Sequence, residues 1–204
     1  MDEVGDISGY ETLKIFAGAN NFNKWLFEQI RSYCRGNVLE IGSGIGNLSE
    51  LLLQTNNSVT LSDLRSEYCL FLNQRFSDNS RFQGVVQLDL VSSKFERAYP
   101  DLIGRFDTII ALNVIEHIRQ DEEAIGNCKK LLTDQGRLII LVPAIQSLYN
   151  SLDDELGHFV RYSKKKLSKL LTDCNFNVRK VRYFNSPALL GWWVTGSILR
   201  NRRI

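Results

Sequence analysis

Apolar residues along this chain keep two rhythms. Short runs rich in β-branched side chains (NVLEIG, SVTLSD, GVVQLDL, FDTIIALN and GRLIILVP) recur along it and read as strands. Between them, apolar positions fall three and four apart. NFNKWLFEQIRSY sets Phe22, Trp25, Leu26 and Ile30 on one helical face, with Asn21 as the N-cap. LSELLLQT, EYCLFLNQRFS and DEEAIGNCKKLLTDQG supply further helices, and Gly136 marks the stop of the last. SKKKLSKLLTDCNF is an amphipathic helix capped by Ser163, leading into NVRKVRYF as an alternating sixth strand. Strands that alternate with helices predict an α/β fold: a single Rossmann-like, doubly wound sheet, mostly parallel, with helices on both faces.

A chain of 204 residues suits one domain with a well-buried core. Within it, residues 1–36 read as an N-terminal helical cap, 37–184 as the sheet core and 185–204 as an apolar C-terminal helical segment. The formal charge of +2 gives no reason to expect a nucleic-acid partner. Cys34, Cys69, Cys128 and Cys174 stand far apart without a CxxC pair, so reduced thiols are expected rather than a disulfide framework or zinc site. MDEVGDISGY opens with acids and lacks a secretory n-region, which favours a cytoplasmic location. Near the other end, PALLGWWVTGSIL (Pro187 to Leu199) is too short to span a bilayer. It reads as a buried or acceptor-covering helix. The alternative is an interfacial segment with Trp192 and Trp193 at headgroup depth and Arg200, Arg202 and Arg203 on anionic lipid.

The densest chemistry lies in VLEIGSGIGN, where Gly42, Gly44 and Gly46 follow the first strand. In an open parallel sheet ligands bind beyond the carboxyl ends of the strands, where strand order reverses, and a bare turn lets a ligand approach the main chain there. A helix starting near Asn47 or Leu48 turns its free N–H groups toward that ligand. Asp63 ends the second strand, where a carboxylate can accept both hydroxyls of a ribose. Asp89 is placed to accept from an exocyclic amine. Glu40, inside the first strand, would attract a cation and repel a pyrophosphate. A nucleoside carrying positive charge is therefore the expected ligand.

The ordered set of ExGxGxGN, an acid ending the second strand, an acid ending the third and ALNVIEHI after the fourth resembles the motifs of class I S-adenosylmethionine-dependent methyltransferases. The resemblance covers roughly Asn21 to Phe184. It implies S-adenosylmethionine as cofactor, with Glu40, Gly42, Ser43, Gly44, Gly46 and Asn47 around its amino-acid end, Asp63 and Leu64 at the ribose, Asp89 and Leu90 flanking the adenine, and Asn113 near the sulfonium. Trp25 is similar to an aromatic that some members place near the cofactor's carboxylate, and it equally fits core packing. The family's seventh, antiparallel strand has no counterpart after NVRKVRYF, so the natural chain is expected to continue past Ile204 or the sheet to hold six strands.

Methyl transfer from a sulfonium is an in-line displacement, so alignment and water exclusion are the main tasks, and a base helps when the acceptor carries a proton of high pKa. His158, in DDELGHFVRYSKKKL, is the candidate general base, in a segment that resembles GHxRRY of one methyltransferase branch with Val160 in place of the first arginine. Arg161 and Tyr162 would orient the acceptor. His117 is the second catalytic candidate. A Glu-x-x-Glu-His arrangement in the same segment of some related O-methyltransferases gathers a metal ion; here Asn113 replaces the first acid, so no metal is expected and Glu116 and His117 are read as capping or packing the next helix. The leading expectation is methylation of a hydroxyl on a small molecule, glycan precursor or lipid-linked acceptor. A cofactor-binding module without catalysis and, less well, an NAD-dependent oxidoreductase are the alternatives; the latter would want its third glycine one residue later.

Overall fold

The computed structural model describes residues 20–184. The stretch after residue 184, where no counterpart of a seventh strand was expected, the Pro187 to Leu199 segment and its flanking arginines lie outside the described residues. Five parallel strands form the sheet: β1 (Asn37–Ile41), β2 (Ser58–Asp63), β3 (Phe82–Gln87), β4 (Phe106–Leu112) and β5 (Leu132–Leu141), in the order β3-β2-β1-β4-β5. The order reverses between β1 and β4, which puts the glycine turn at the switch point.

Both faces of the sheet are covered, as the near-continuous apolar strands require. Successive side chains alternate between faces. Val38, Val59, Leu61 and Ile110 face one core with Phe27, Ile30, Leu52, Leu72 and Phe76. These come from helices α1 (Asn20–Ile30), α2 (Ser49–Leu53) and α3 (Ser66–Phe76). Leu39, Ile41, Ile109 and Ala111 face the other core, against Phe95, Leu102, Ile125, Cys128 and Leu131. Phe95 begins α4 (Phe95–Ala98), and Ile125 to Leu131 belong to α5 (Asp121–Leu131). Two more helices, α6 (Ser151–Glu155) and α7 (Lys164–Asp173), follow β5; Asn150 and Asp153 make a capping box for the first, and Ser163 caps the second as expected. No helix among the described residues is long and apolar enough to cross a membrane.

Three expectations are corrected. Asn21 lies within α1, not at its cap. Helix α5 stops at Leu131, and Gly136 sits inside β5, where Phe106 pairs with Leu132 but Thr108 with Arg137. The intervening residues bulge, and a Cβ at Gly136 would lie 2.9 Å from the Phe106 and Thr133 carbonyls, so this glycine serves a close backbone approach instead of a helix stop. NVRKVRYF forms no strand. Its alternating side chains go to α1 and the turn after it: Lys180 Nζ donates to Tyr33 Oη at 3.0 Å, Arg182 to Gln29 Oε1 at 2.9 Å, and Phe184 stacks on Trp25 with centroids 4.2 Å apart. Period two thus marks an extended strap here, which shares its alternation with a strand but not its ladder.

The glycine turn is confined by its neighbours. A Cβ on Gly42 (φ +69°) would stand 2.5 Å from Val114 Cγ2, and one on Gly46 (φ +86°) 2.6 Å from Phe76 Cε2 and 3.0 Å from Leu72 Cδ2. Gly46→Ala should cost about 1 to 3 kcal/mol of unfolding free energy in urea titration; an unchanged midpoint would mean that the turn yields to the added methyl.

Candidate functional site

Two bonds tie the turn to β2, a third joins β2 to β1 beneath it and a fourth closes the turn on itself. Ser43 N donates to Ser62 O at 2.9 Å, Ser62 Oγ to Glu40 O at 2.9 Å, Gly46 N to Ser43 O at 2.9 Å and Gly44 N to the Asp63 carboxylate at 2.9 Å. Glu40 is buried and accepts a short hydrogen bond from Ser49 Oγ. Burial pushes its pKa up to about 7, against the Ser49 and Ser43 hydroxyls that hold it down. Expected as a full anion beside the turn, Glu40 is close to half protonated near neutrality, because desolvation outweighs its two hydroxyl partners.

Asp63, Asp89 and Asn113 lie at or just past the carboxyl ends of β2, β3 and β4. Asp63 Oδ1 also accepts from Arg65 N at 3.1 Å, and Leu64 beside it is 61% exposed. Asp89 lies two residues past β3 and caps its own turn by accepting from Val91 N at 2.9 Å. Leu90 is buried in the core, with its carbonyl held by Asn127. Asn47 is half-buried next to the turn. Asn113 follows β4 with φ +54° and donates its N–H to Leu141 O at 2.9 Å. Trp25 is 41% exposed and packs on Phe22 and Phe184, outside the apolar core that holds Leu26, Phe27 and Ile30.

On the other side of Val114 the chain builds a second cluster. Asp153 is fully buried and receives His158 Nδ1 at 2.8 Å, Arg161 Nε at 2.9 Å and Asn150 N at 3.0 Å. Burial alone would raise its pKa, but the bonds from His158 and Arg161 outweigh it and hold the carboxyl below the usual carboxylate range. Phe159 N donates to Glu116 O at 2.8 Å and brings His158 against the β4 loop, where the His117 and His158 rings meet edge to face at 4.7 Å. Burial first, and then the neighbouring His158, push His117 down to about 4. Glu116 is fully buried, neither carboxylate oxygen meets a hydrogen-bond partner among the described residues, and burial raises it to about 8. The loop after β5 is held by Ile145 (φ +67°), whose N–H donates to Tyr162 O at 3.1 Å.

The segment that carries His158, Arg161 and Tyr162 buries all three side chains. Arg161 is buried with its guanidinium on Asp153 and the Ala144 carbonyl, and Tyr162 is buried with its hydroxyl donating to Asp121 at 2.7 Å. Both polar ends are committed to protein partners, so they shape the loop instead of reaching for an acceptor. Sequence reading missed Asp153, although the Asn150-x-x-Asp153 capping box was a usable signal; of the two roles read for Glu116, capping or packing the next helix, its complete burial agrees with packing.

A protein-family model described as a methyltransferase domain matches residues 39–138, from β1 into β5. The chain belongs to the class I S-adenosylmethionine-dependent methyltransferases. This methyltransferase domain is 30% identical over 163 residues to the highly reducing polyketide synthase gloL of Glarea lozoyensis, a match that covers 70% of this chain and 6% of that protein. Its fold is similar to that of the CurJ carbon methyltransferase (TM-score 0.59, 16% identity, 82% of this chain and 50% of that one). It is also similar to phosphoethanolamine N-methyltransferase 2 of Haemonchus contortus (TM-score 0.61, 17% identity, 76% and 36%). A carbon and a nitrogen methyltransferase at nearly equal similarity share the fold while their acceptors differ.

Glu40 supplies a pH test. The folded methyltransferase keeps the Glu40 proton up to about pH 7, whereas the unfolded chain releases it near 4.5. Between those values the folded state binds more protons, so raising pH costs stability. Glu40→Gln removes that loss, and its stability relative to the parent should rise by up to about 3 kcal/mol from pH 5 to pH 8. A gap that stays constant across this range would refute the assigned pKa.

Proposed function

We propose that this domain transfers a methyl group from S-adenosylmethionine to a hydroxyl oxygen of a small-molecule, glycan-precursor or lipid-linked acceptor. The observation that carries the reading is the bare turn at the switch point with its Gly44 N–H bonded to Asp63. The residues fit the cofactor. Among the described residues each Asp63 oxygen accepts one protein bond, which leaves a lone pair for a ribose hydroxyl. Exposed Leu64 offers an apolar face to the adenine and Asp89 an acceptor for its amine; buried Leu90 supports the floor beneath. Glu40, Gly42, Ser43, Gly46 and Asn47 would enclose the amino-acid end, Asn113 the sulfur, and Trp25 remains the candidate at the cofactor's carboxylate.

The cofactor supplies a methyl already activated on sulfonium, so the chain's tasks are to align the acceptor and ease loss of its proton. Asp153 holds His158 Nδ1 and leaves the Nε2 lone pair available, with His117 beside it. This pair would assist that proton loss.

A carbon acceptor is the second reading, favoured by the polyketide synthase likeness over 70% of the chain. In that case the partner is an acyl chain carried by a larger assembly, and an acidic C–H replaces the hydroxyl. Offering labelled S-adenosylmethionine with hydroxylated acceptors and with β-ketoacyl thioesters separates the two: label in an ether sustains the first, and label only in a carbon-bound methyl replaces it with the second. Asp63→Ala should weaken S-adenosylhomocysteine binding about tenfold to a hundredfold, through loss of charge-assisted hydrogen bonds; unchanged affinity in calorimetry would remove Asp63 from the cofactor site.

A further inference from the structure

Three groups meet where the β4 loop touches the segment after α6. Glu116, His117 and His158 each offer one ligand atom, and these atoms lie within 4.8 Å of one another. Each group is prepared for a cation in its own way. Asp153 takes the Nδ1 side of His158 at 2.8 Å, which puts the proton on that nitrogen and leaves the Nε2 lone pair outward; a carboxylate behind a histidine is the usual outer support of a metal-bound imidazole. Glu116 is fully buried with both oxygens unpartnered among the described residues, an arrangement whose desolvation cost calls for a compensating charge or proton. His117 meets His158 edge to face at 4.7 Å, which sets the two imidazoles side by side.

We propose that Glu116, His117 and His158 bind one divalent transition-metal ion of the zinc class, with an open coordination position for the acceptor oxygen. Two imidazoles and one carboxylate suit zinc, cobalt or iron better than magnesium or calcium, which prefer all-oxygen shells. Ligand bonds of about 2.0 to 2.2 Å put ligand atoms roughly 3.4 Å apart in a tetrahedral site, so closing from 4.8 Å takes modest side-chain rotations. The ligands come from separate segments joined by the Phe159 N to Glu116 O bond, which holds the two ends of the site in register without occupying any ligand atom. The sequence argued against a metal because Asn113 stands where an acid would be; the geometry replaces that argument, since three ligands with one open position need no acid at 113. Such an ion would occupy the His158 Nε2 lone pair, so in the ion-bound form it would make a bound acceptor hydroxyl more acidic and the proton would leave to solvent water instead of to the histidines. In that respect the inference rests on the proposed function, whereas ion binding itself does not.

The test is direct binding to the chelator-stripped 204-residue chain. Titration with Co2+ should produce visible d–d absorption that saturates at one ion per chain and is displaced by stoichiometric Zn2+ but not by equal Mg2+. His117→Ala and Glu116→Gln should each weaken Zn2+ affinity at least tenfold, and Asp153→Asn about tenfold, with the circular dichroism spectrum retained. Unaltered affinity in a folded His117→Ala chain, or no cobalt spectrum from the folded parent, would overturn the site. Loss of S-adenosylhomocysteine binding or methyl transfer with ion binding intact would count against the functional reading instead.

Discussion

Val114 and Phe76 stand where side chains on Gly42 and Gly46 would have to be, and this double confinement fixes the first crossover. One neighbour comes from the loop after β4 and the other from α3, so the turn is gripped from both sides of β1. Only a main chain without Cβ atoms passes between them. With the turn held there, its N–H groups find Ser62 and Asp63 on β2, and the loop carrying Asn113 to His117 is packed against it. Through Val114 the glycine turn thereby meets the loop that carries Glu116 and His117.

Much of this was readable from sequence because it is local or periodic. The five strands declared themselves through β-branched runs, and the glycine turn through a spacing that constrains φ regardless of what lies far away. NVRKVRYF misled because Val181 and Tyr183 alternate with Lys180 and Arg182 as they would in a strand, while Lys180 and Arg182 find their partners on Tyr33 and Gln29. Gly136 misled because a helix stop and a bulge call for the same residue. At the site, Asp63 and His158 could be singled out, but the burial of Arg161, Tyr162 and Glu116 follows from a contact between Phe159 and Glu116 across many residues of intervening chain. No local pattern announces such a contact.

Three buried acids illustrate different answers to one electrostatic problem. Asp153 is surrounded by His158, Arg161 and a backbone N–H, so it stays ionised despite complete burial. Glu40 has hydroxyl donors alone and sits between its two protonation states near neutrality. Glu116 has no donor among the described residues and holds its proton to about pH 8. Charge is thus retained in proportion to the donors supplied, the order expected when desolvation is offset by hydrogen bonds and cations.

Asn113 and Ile145 occupy the carboxyl-end rim beside β4 and β5, each with a positive φ that costs a non-glycine residue about 1 to 3 kcal/mol. Bonds from their N–H groups to Leu141 and Tyr162 hold them there. The strain is borne once, when the chain folds. A molecule arriving at this rim meets walls already set in shape, and the ordering entropy that a slack loop would demand at association has been settled beforehand.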